Sequence, residues 1–341
     1  MVSKLPSFWI VYLVFFGFPL LLLGKTEPLQ TAFRHEATKI LFPRQIDAFV
    51  LESKTTYSPA EKLGISLQYV EPEKAKVDIF IYTKGLDQVA RDPENSLAFA
   101  ELAAMQRGVQ QIEVRGFYSD TLISQQVKAH NVGTGLVEEP VVFLSSSAAF
   151  RQILTPDEKP IPDSQLQYSW GAVAIFENHF VKIRYITQED GRETMFTAFL
   201  NRFGFLLLEP QLQGKVVMWL NTYTSSPLSK QGKLALDNVL GYAESSPLIR
   251  IQLPKEYTPW KTRTKYPYSK ELLGASIAGQ VREQILTQDF SPKPFLGLLQ
   301  VLSVYPELKA DDTKARVSEL DEFLMLKTAG KLAETLGIKT E

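Results

Sequence analysis

Two hydrophobic rhythms divide this chain. Before Pro210 the apolar positions mix periods of two and of about 3.6 residues; after it they keep to the helical period. Ile65-Ser66-Leu67-Gln68-Tyr69-Val70 alternates as a strand does. Glu71-Pro72-Glu73-Lys74 then supplies turn residues, and Val77–Tyr82 reads as the returning strand of an antiparallel hairpin. Over Ser96–Val114, Leu97, Ala100, Leu102, Ala103, Val109 and Ile112 recur at helical spacing, with Pro93 just ahead of the start. Val141–Leu144 is a short buried strand, and Ser145-Ser146-Ser147 after it reads as a loop. Tyr168–Ile175 and Phe180–Ile186 form a second hairpin turning at Glu177-Asn178-His179, and Thr194–Leu208 forms an apolar helix that stops before Pro210. Beyond it the pattern predicts helices over Lys233–Ala243, Lys270–Leu286, Lys293–Tyr305 and Ser318–Leu336, separated by Pro247, Pro254, Pro259, Pro267 and Pro292.

The N-terminus carries a different signal. Leu5–Gly24 is a run of 20 residues without a charge, bounded by Lys4 and Lys25. As a helix it would reach roughly 30 Å, the thickness of a hydrocarbon core. Trp9, Ile10, Tyr12, Leu13, Phe15, Phe16, Leu20 and Leu23 supply its apolar surface, with the amphipathic rings of Trp9 and Tyr12 near one end. A short basic stretch, an apolar run and a polar body follow the order of a secretory signal. Its length and its ending in Leu22-Leu23-Gly24, with a bulky residue where a small one is usual, favour a retained anchor over a cleaved peptide. The expectation is an exported chain, membrane-anchored or periplasmic.

The predicted organisation is therefore a signal peptide or transmembrane anchor over 1–24, a tether over 25–45, an α+β domain over 46–210 with helices packed on an antiparallel sheet, and an all-helical domain over 211–341. Charge shifts at the same place: residues 25–210 hold 19 basic and 24 acidic side chains, 211–341 hold 17 and 14. A net charge of −1 gives no electrostatic attraction to nucleic acid, which is not an expected partner. With no cysteine there is no disulfide, thiolate nucleophile or thiolate metal site.

Catalytic motifs are missing from the pattern. The three histidines, His35, His130 and His179, share no metal-ligand spacing. No nucleophile elbow occurs; Gly274–Gly279 comes nearest, and there small residues on a helix serve close packing. Phosphate-cradling glycine loops and oxygen-rich calcium loops are likewise lacking, so no catalytic, cofactor or metal residue is assigned and no cofactor is expected. One loop interleaves rings and cations: Trp260, Arg263, Lys265, Tyr266 and Tyr268. Such a mix could grip anionic headgroups or stack on a glycan. The plainer reading is a loop whose rings pack on neighbouring helices while its charges stay in water.

Phe42-Pro43-Arg44-Gln45-Ile46-Asp47-Ala48-Phe49, with Gly64–Tyr82 and His179–Tyr185, resembles uncharacterised bacterial exported, membrane-anchored proteins with an FPxxIxxF strand. The resemblance implies an α+β domain similar to the non-catalytic PsbP/Mog1 class and transfers no catalytic residue. The function expected is a non-enzymatic envelope protein binding a partner, such as another envelope protein, or a ligand. The alternatives are a hydrolase whose Ser, His and acid meet only in space, and a carrier of a small ligand or lipid.

Overall fold

A computed structural model describes residues 24–338 except 93, 134–136, 156 and 264–265. The apolar positions Trp9, Ile10, Tyr12, Leu13, Phe15, Phe16, Leu20 and Leu23 lie outside the described residues. Among the described residues no helix is long and apolar enough to cross a membrane. The chain divides between Leu208 and Glu209 into two compact units.

The first unit is built on β1 (Lys25–Pro28), β2 (Phe33–Arg34), β3 (Leu41–Phe42), β4 (Gln45–Ile46), β5 (Phe49–Thr56), β6 (Ile65–Glu71), β7 (Ala75–Tyr82), helix α1 (Ser96–Val114), β8 (Tyr118–Ile123), β9 (Lys128–Val132), β10 (Val141–Gln152), β11 (Leu166–Phe176) and β12 (His179–Thr187). A ten-stranded antiparallel sheet runs β1-β5-β6-β7-β12-β11-β10-β8, with β4 beside β5 and β9 beside β10. Helix α2 (Glu193–Ser225) contributes its residues up to Leu208 to this unit.

The strand pleat explains both faces. On β12, Val181, Ile183 and Tyr185 point to one side, and Phe180, Lys182 and Arg184 to the other. The first side meets α2, where Phe196, Phe199 and Phe203 repeat at helical spacing. Phe196 packs on Trp170 and Tyr185, Phe199 on Phe49 and Tyr69, and Phe203 on Phe42 and Phe143. The second side meets α1. Phe80, Tyr82, Leu144, Val173, Ile175 and Phe180 form a buried cluster with Ala98 and Leu102 of the helix. A sheet covered on both faces needs strands apolar on both, and β12 is buried at most of its nine positions.

Four expectations are corrected here. Residues 25–45 are no tether: they hold β1 to β4, and Lys25–Pro28 pairs with Ser53–Thr56 at the sheet edge. The FPxxIxxF string is not one strand. Phe42, Ile46 and Phe49 are buried anchors on three different strands, turned by Asp47 at φ +48°. Ser145-Ser146-Ser147 continues β10 because it pairs with Trp170–Ala172 of β11. Helix α2 runs through Pro210, where an interior proline normally costs about 3 kcal/mol. Buried Leu206, Leu207 and Leu208 before it, and Leu212, Val216 and Leu220 after it, hold the helix on apolar contacts either side.

The second unit continues with α3 (Lys230–Ser245), α4 (Ser269–Thr287), α5 (Pro294–Asp311), α6 (Ser318–Thr328) and α7 (Leu332–Thr335). The helix expected over 318–336 is broken at Ala329–Lys331. Gly279 lets α4 and α5 touch: a Cβ there would lie 2.5 Å from the Leu296 carbonyl oxygen. Two fully buried glutamines on α4 replace a strand neighbour for the extended segment before Pro254. Gln284 accepts from the Arg250 amide (2.9 Å) and donates to its carbonyl (2.8 Å). Gln280 treats Gln252 in the same way (3.2 and 2.8 Å).

Two stability effects follow. Phe180→Ala should destabilise the first unit by ~3–5 kcal/mol, read by urea unfolding, whereas His179→Ala beside it should stay within about 0.5 kcal/mol. Gln284→Leu should cost the second unit ~1–3 kcal/mol, because two buried backbone groups lose their partners. Equal, silent outcomes for Phe180 and His179, or a neutral Gln284→Leu, would contradict this packing.

Candidate functional site beneath helix α1

Helix α1 packs on β8, β10 and β11, and its two halves meet different surfaces. Below its first turns lie the large side chains of the buried cluster. Below its last turns β10 and β11 present Ser146, Ala148, Ser169 and Gly171 instead. These cannot fill the space under the helix, and a cleft of about 180 Å³ remains. Gly171 adds to it: a Cβ there would come within 2.5 Å of the Met105 methyl, the flexible end of a side chain on α1, which would have to move.

The polar groups come from neighbouring strands and from the helix. Lys182 and Arg184 project from β12 into the cleft, with Lys84, Arg107 and Glu101 around it. Glu101 is 2% exposed and sits on the apolar stripe of α1. It accepts from the Tyr82 hydroxyl at 2.6 Å and pairs with Lys84. Lys182, 5% exposed, lies 3.9 Å from the same carboxylate and over the Phe80 and Tyr82 rings at 5.0 and 5.4 Å. Burial pulls its pKa down to about 7; Glu101 opposes this, while Lys84 and Arg184 add to it. For Arg184 burial works against the charge, but Tyr118, whose hydroxyl accepts at 3.3 Å, and Asp78 outweigh it and keep the guanidinium charged. Asp78, the register partner of Arg184 on β7, is itself held by Gln68 and Lys76 at 3.0 and 3.3 Å. Burial and Glu101 push the Tyr82 phenol well above its ordinary value, so it stays a donor.

The histidines do not build a competing centre. His130 Nε2 meets Ser145 Oγ at 2.8 Å, which pairs a base with a hydroxyl. Ser145 is buried on the α2 side of the sheet, away from the cleft, and the nearby Glu193 is paired with Lys128. Burial, then Lys128, lowers the His130 pKa. A hydroxyl so enclosed offers a substrate no approach. His35 and His179 stack edge-on at 5.7 Å, and burial with His179 nearby lowers His35 to about 4. Among the described residues no three His, Asp or Glu gather as a metal site.

The aromatic and basic loop of the second unit is turned onto its own helices. Trp260 is fully buried, so it is not part of a surface patch. Arg263 pairs with Glu319 at 2.6 Å, Tyr266 donates to the Ala315 carbonyl at 2.6 Å, and Tyr268 to Asp312 at 3.0 Å. Lys265 lies outside the described residues.

Periodicity alone missed Lys182, Arg184 and Glu101. The signals were present: a Lys-x-Arg pair within an otherwise apolar strand, and one acid on the apolar face of a helix.

No family model matches the chain, and no curated protein matches it. A solution structure of cyanobacterial PsbP (CyanoP) from Synechocystis sp. PCC 6803 is similar over 50% of this chain and 86% of its own length. Identity is 8% and the TM-score 0.29, too low to show a shared fold.

The electrostatics make a pH test available. Between pH 7 and 10 the unfolded chain still protonates this lysine, whose ordinary pKa is about 10.4, while the folded chain does not. Stability contributed by the neutral form is thus gained as pH rises through that window and lost below it. Lys182→Met should raise the melting temperature of the first unit more at pH 6 than at pH 9. An equal change at both would contradict a neutral buried amine.

Proposed function

We propose that the chain is a non-enzymatic binding protein of the cell envelope, delivered to the membrane by Leu5–Gly24 and taking a small ligand in the cleft beneath α1. One observation carries the binding part: small residues leave a cleft over the middle of a sheet that is otherwise packed with large side chains. Under-filled space beside buried charge costs stability, and a ligand that fills it and pairs with the charge would offset that cost. At about 180 Å³ the cleft is below the ~300–1,000 Å³ of drug-sized sites. It therefore suits a small molecule better than a whole lipid. The apolar run supports the envelope part, since 20 uncharged residues match a hydrocarbon core.

Ligand-observed NMR against the full chain, with a library of small fragments, tests the cleft. Fragments that bind wild type should lose at least tenfold in affinity to Ala148→Phe, which fills the floor, while fragments held elsewhere keep theirs. Binding untouched by this variant would overturn the site. Deleting residues 5–24 should move the chain from the membrane to the soluble fraction; a full-length chain already soluble in the cytoplasm would overturn the envelope assignment.

A further inference from the structure

The cleft has a marked excess of one charge. Lys84, Arg107, Lys182 and Arg184 line it against a single carboxylate, Glu101. That carboxylate is engaged on its other sides by Lys84 and the Tyr82 hydroxyl. Asp78, the next acid on the strands, is shared between Gln68, Lys76 and the field of Arg184. Two basic residues on β12 thus face the cleft beside two acids that also serve Lys84 and Lys76.

The spacing of these cations is specific. Lys182 and Arg184 stand two residues apart on one face of one strand, so their backbone positions are ~7 Å apart. A compact anion between the two side chains can be reached by both, the guanidinium offering a planar pair of donors. The hydroxyls of Ser146 and Ser169 on the floor can donate to it as well. Beside the polar Gln106, Gln111 and Ser147, the lining has an apolar part: Phe80, Met105, Val109, Ile112 and Ile123. A bare inorganic ion would leave that part wet, whereas a short hydrocarbon stem would fill it.

We infer that the cleft takes a small organic anion, its charged group between Lys182 and Arg184 and its apolar stem against Met105, Ile112 and Ile123. This rests on the binding reading above and adds the chemical class of the ligand. A carboxylate and a phosphate monoester share that chemistry, and the two are separated by the probes.

Calorimetric titration of the full chain with hexanoate, hexyl phosphate, hexan-1-ol and hexylammonium tests it. The anions should bind at least tenfold more tightly than the alcohol, and the ammonium should not bind. Arg184→Gln should reduce anion affinity at least tenfold and leave the alcohol within twofold, with the melting transition of the variant recorded alongside. A preference for hexyl phosphate over hexanoate, or the reverse, names the group within the class. Equal binding of the anions, the alcohol and the ammonium would overturn the charge assignment while leaving the cleft a binding site. No binding by any of the four would overturn both.

Discussion

A sheet covered on both faces leaves little solvent for the charges of its central strand, and the first unit is arranged around that constraint. β12 lies between β7 and β11, under α1 on one side and α2 on the other. Any ionic side chain there must find its partners inside the protein. Lys182 and Arg184 do so unequally. Glu101 is brought to Lys182 by α1, and Asp78 to Arg184 by strand register. Lys84 and Lys76 compete for the same two acids. The outcome is a lysine pulled toward neutrality and an arginine held charged, both lining the cleft.

The α2 face has no such conflict. It is a layer of interleaved rings whose ion pair, Arg192 with Glu71 at 2.6 Å, lies beside the Tyr185 hydroxyl, and large apolar area is what fixes α2 to the sheet. One face thus supplies adhesion and the other supplies chemistry. The second unit pairs most of its buried polar side chains with one another or with backbone, although the Tyr223 hydroxyl and Trp260 Nε1 have no partner among the described residues. Gln280 and Gln284 each give and take a hydrogen bond with one backbone residue, and Glu209 accepts from Tyr242 at 2.6 Å and from Ser246. Burial still raises the Glu209 pKa. Glutamine with backbone and carboxylate with hydroxyl, these groups answer one another.

Much of the fold was legible because its elements are locally determined. The hairpin at Glu177-Asn178 and helix Ser96–Val114 follow from turn chemistry and periodicity within a few residues. The α2 helix past Pro210 was not legible, since local propensity ends it there and only packing on both sides sustains it. Ser145–Ser147 failed for a similar reason: serines fit a strand only because β11 lies alongside. The site was hidden by distance in the chain. Lys182 and Arg184 alternate with apolar residues as solvent-facing positions do, and what covers them is a helix some 70 residues earlier. The cleft depends on Ser146, Ala148, Ser169 and Gly171 falling under that helix together, which no spacing within one strand announces.

The central claim is that Lys182 is buried beside Arg184 and that this burial, more than Glu101 can offset, pulls its amine toward neutrality. Direct NMR titration of the Lys182 side chain in the full chain, alone and with saturating hexanoate, tests it. The groups acting on this amine are Glu101 on α1, Lys84 after β7 and Arg184 on β12, with the Tyr82 ring of β7 beside it; Arg107 lines the same cleft, and Asp78 faces Arg184. The account predicts an apparent pKa of about 7 without ligand, rising when the anion occupies the cleft. A lysine titrating near its ordinary ~10.4, with or without hexanoate, would contradict it.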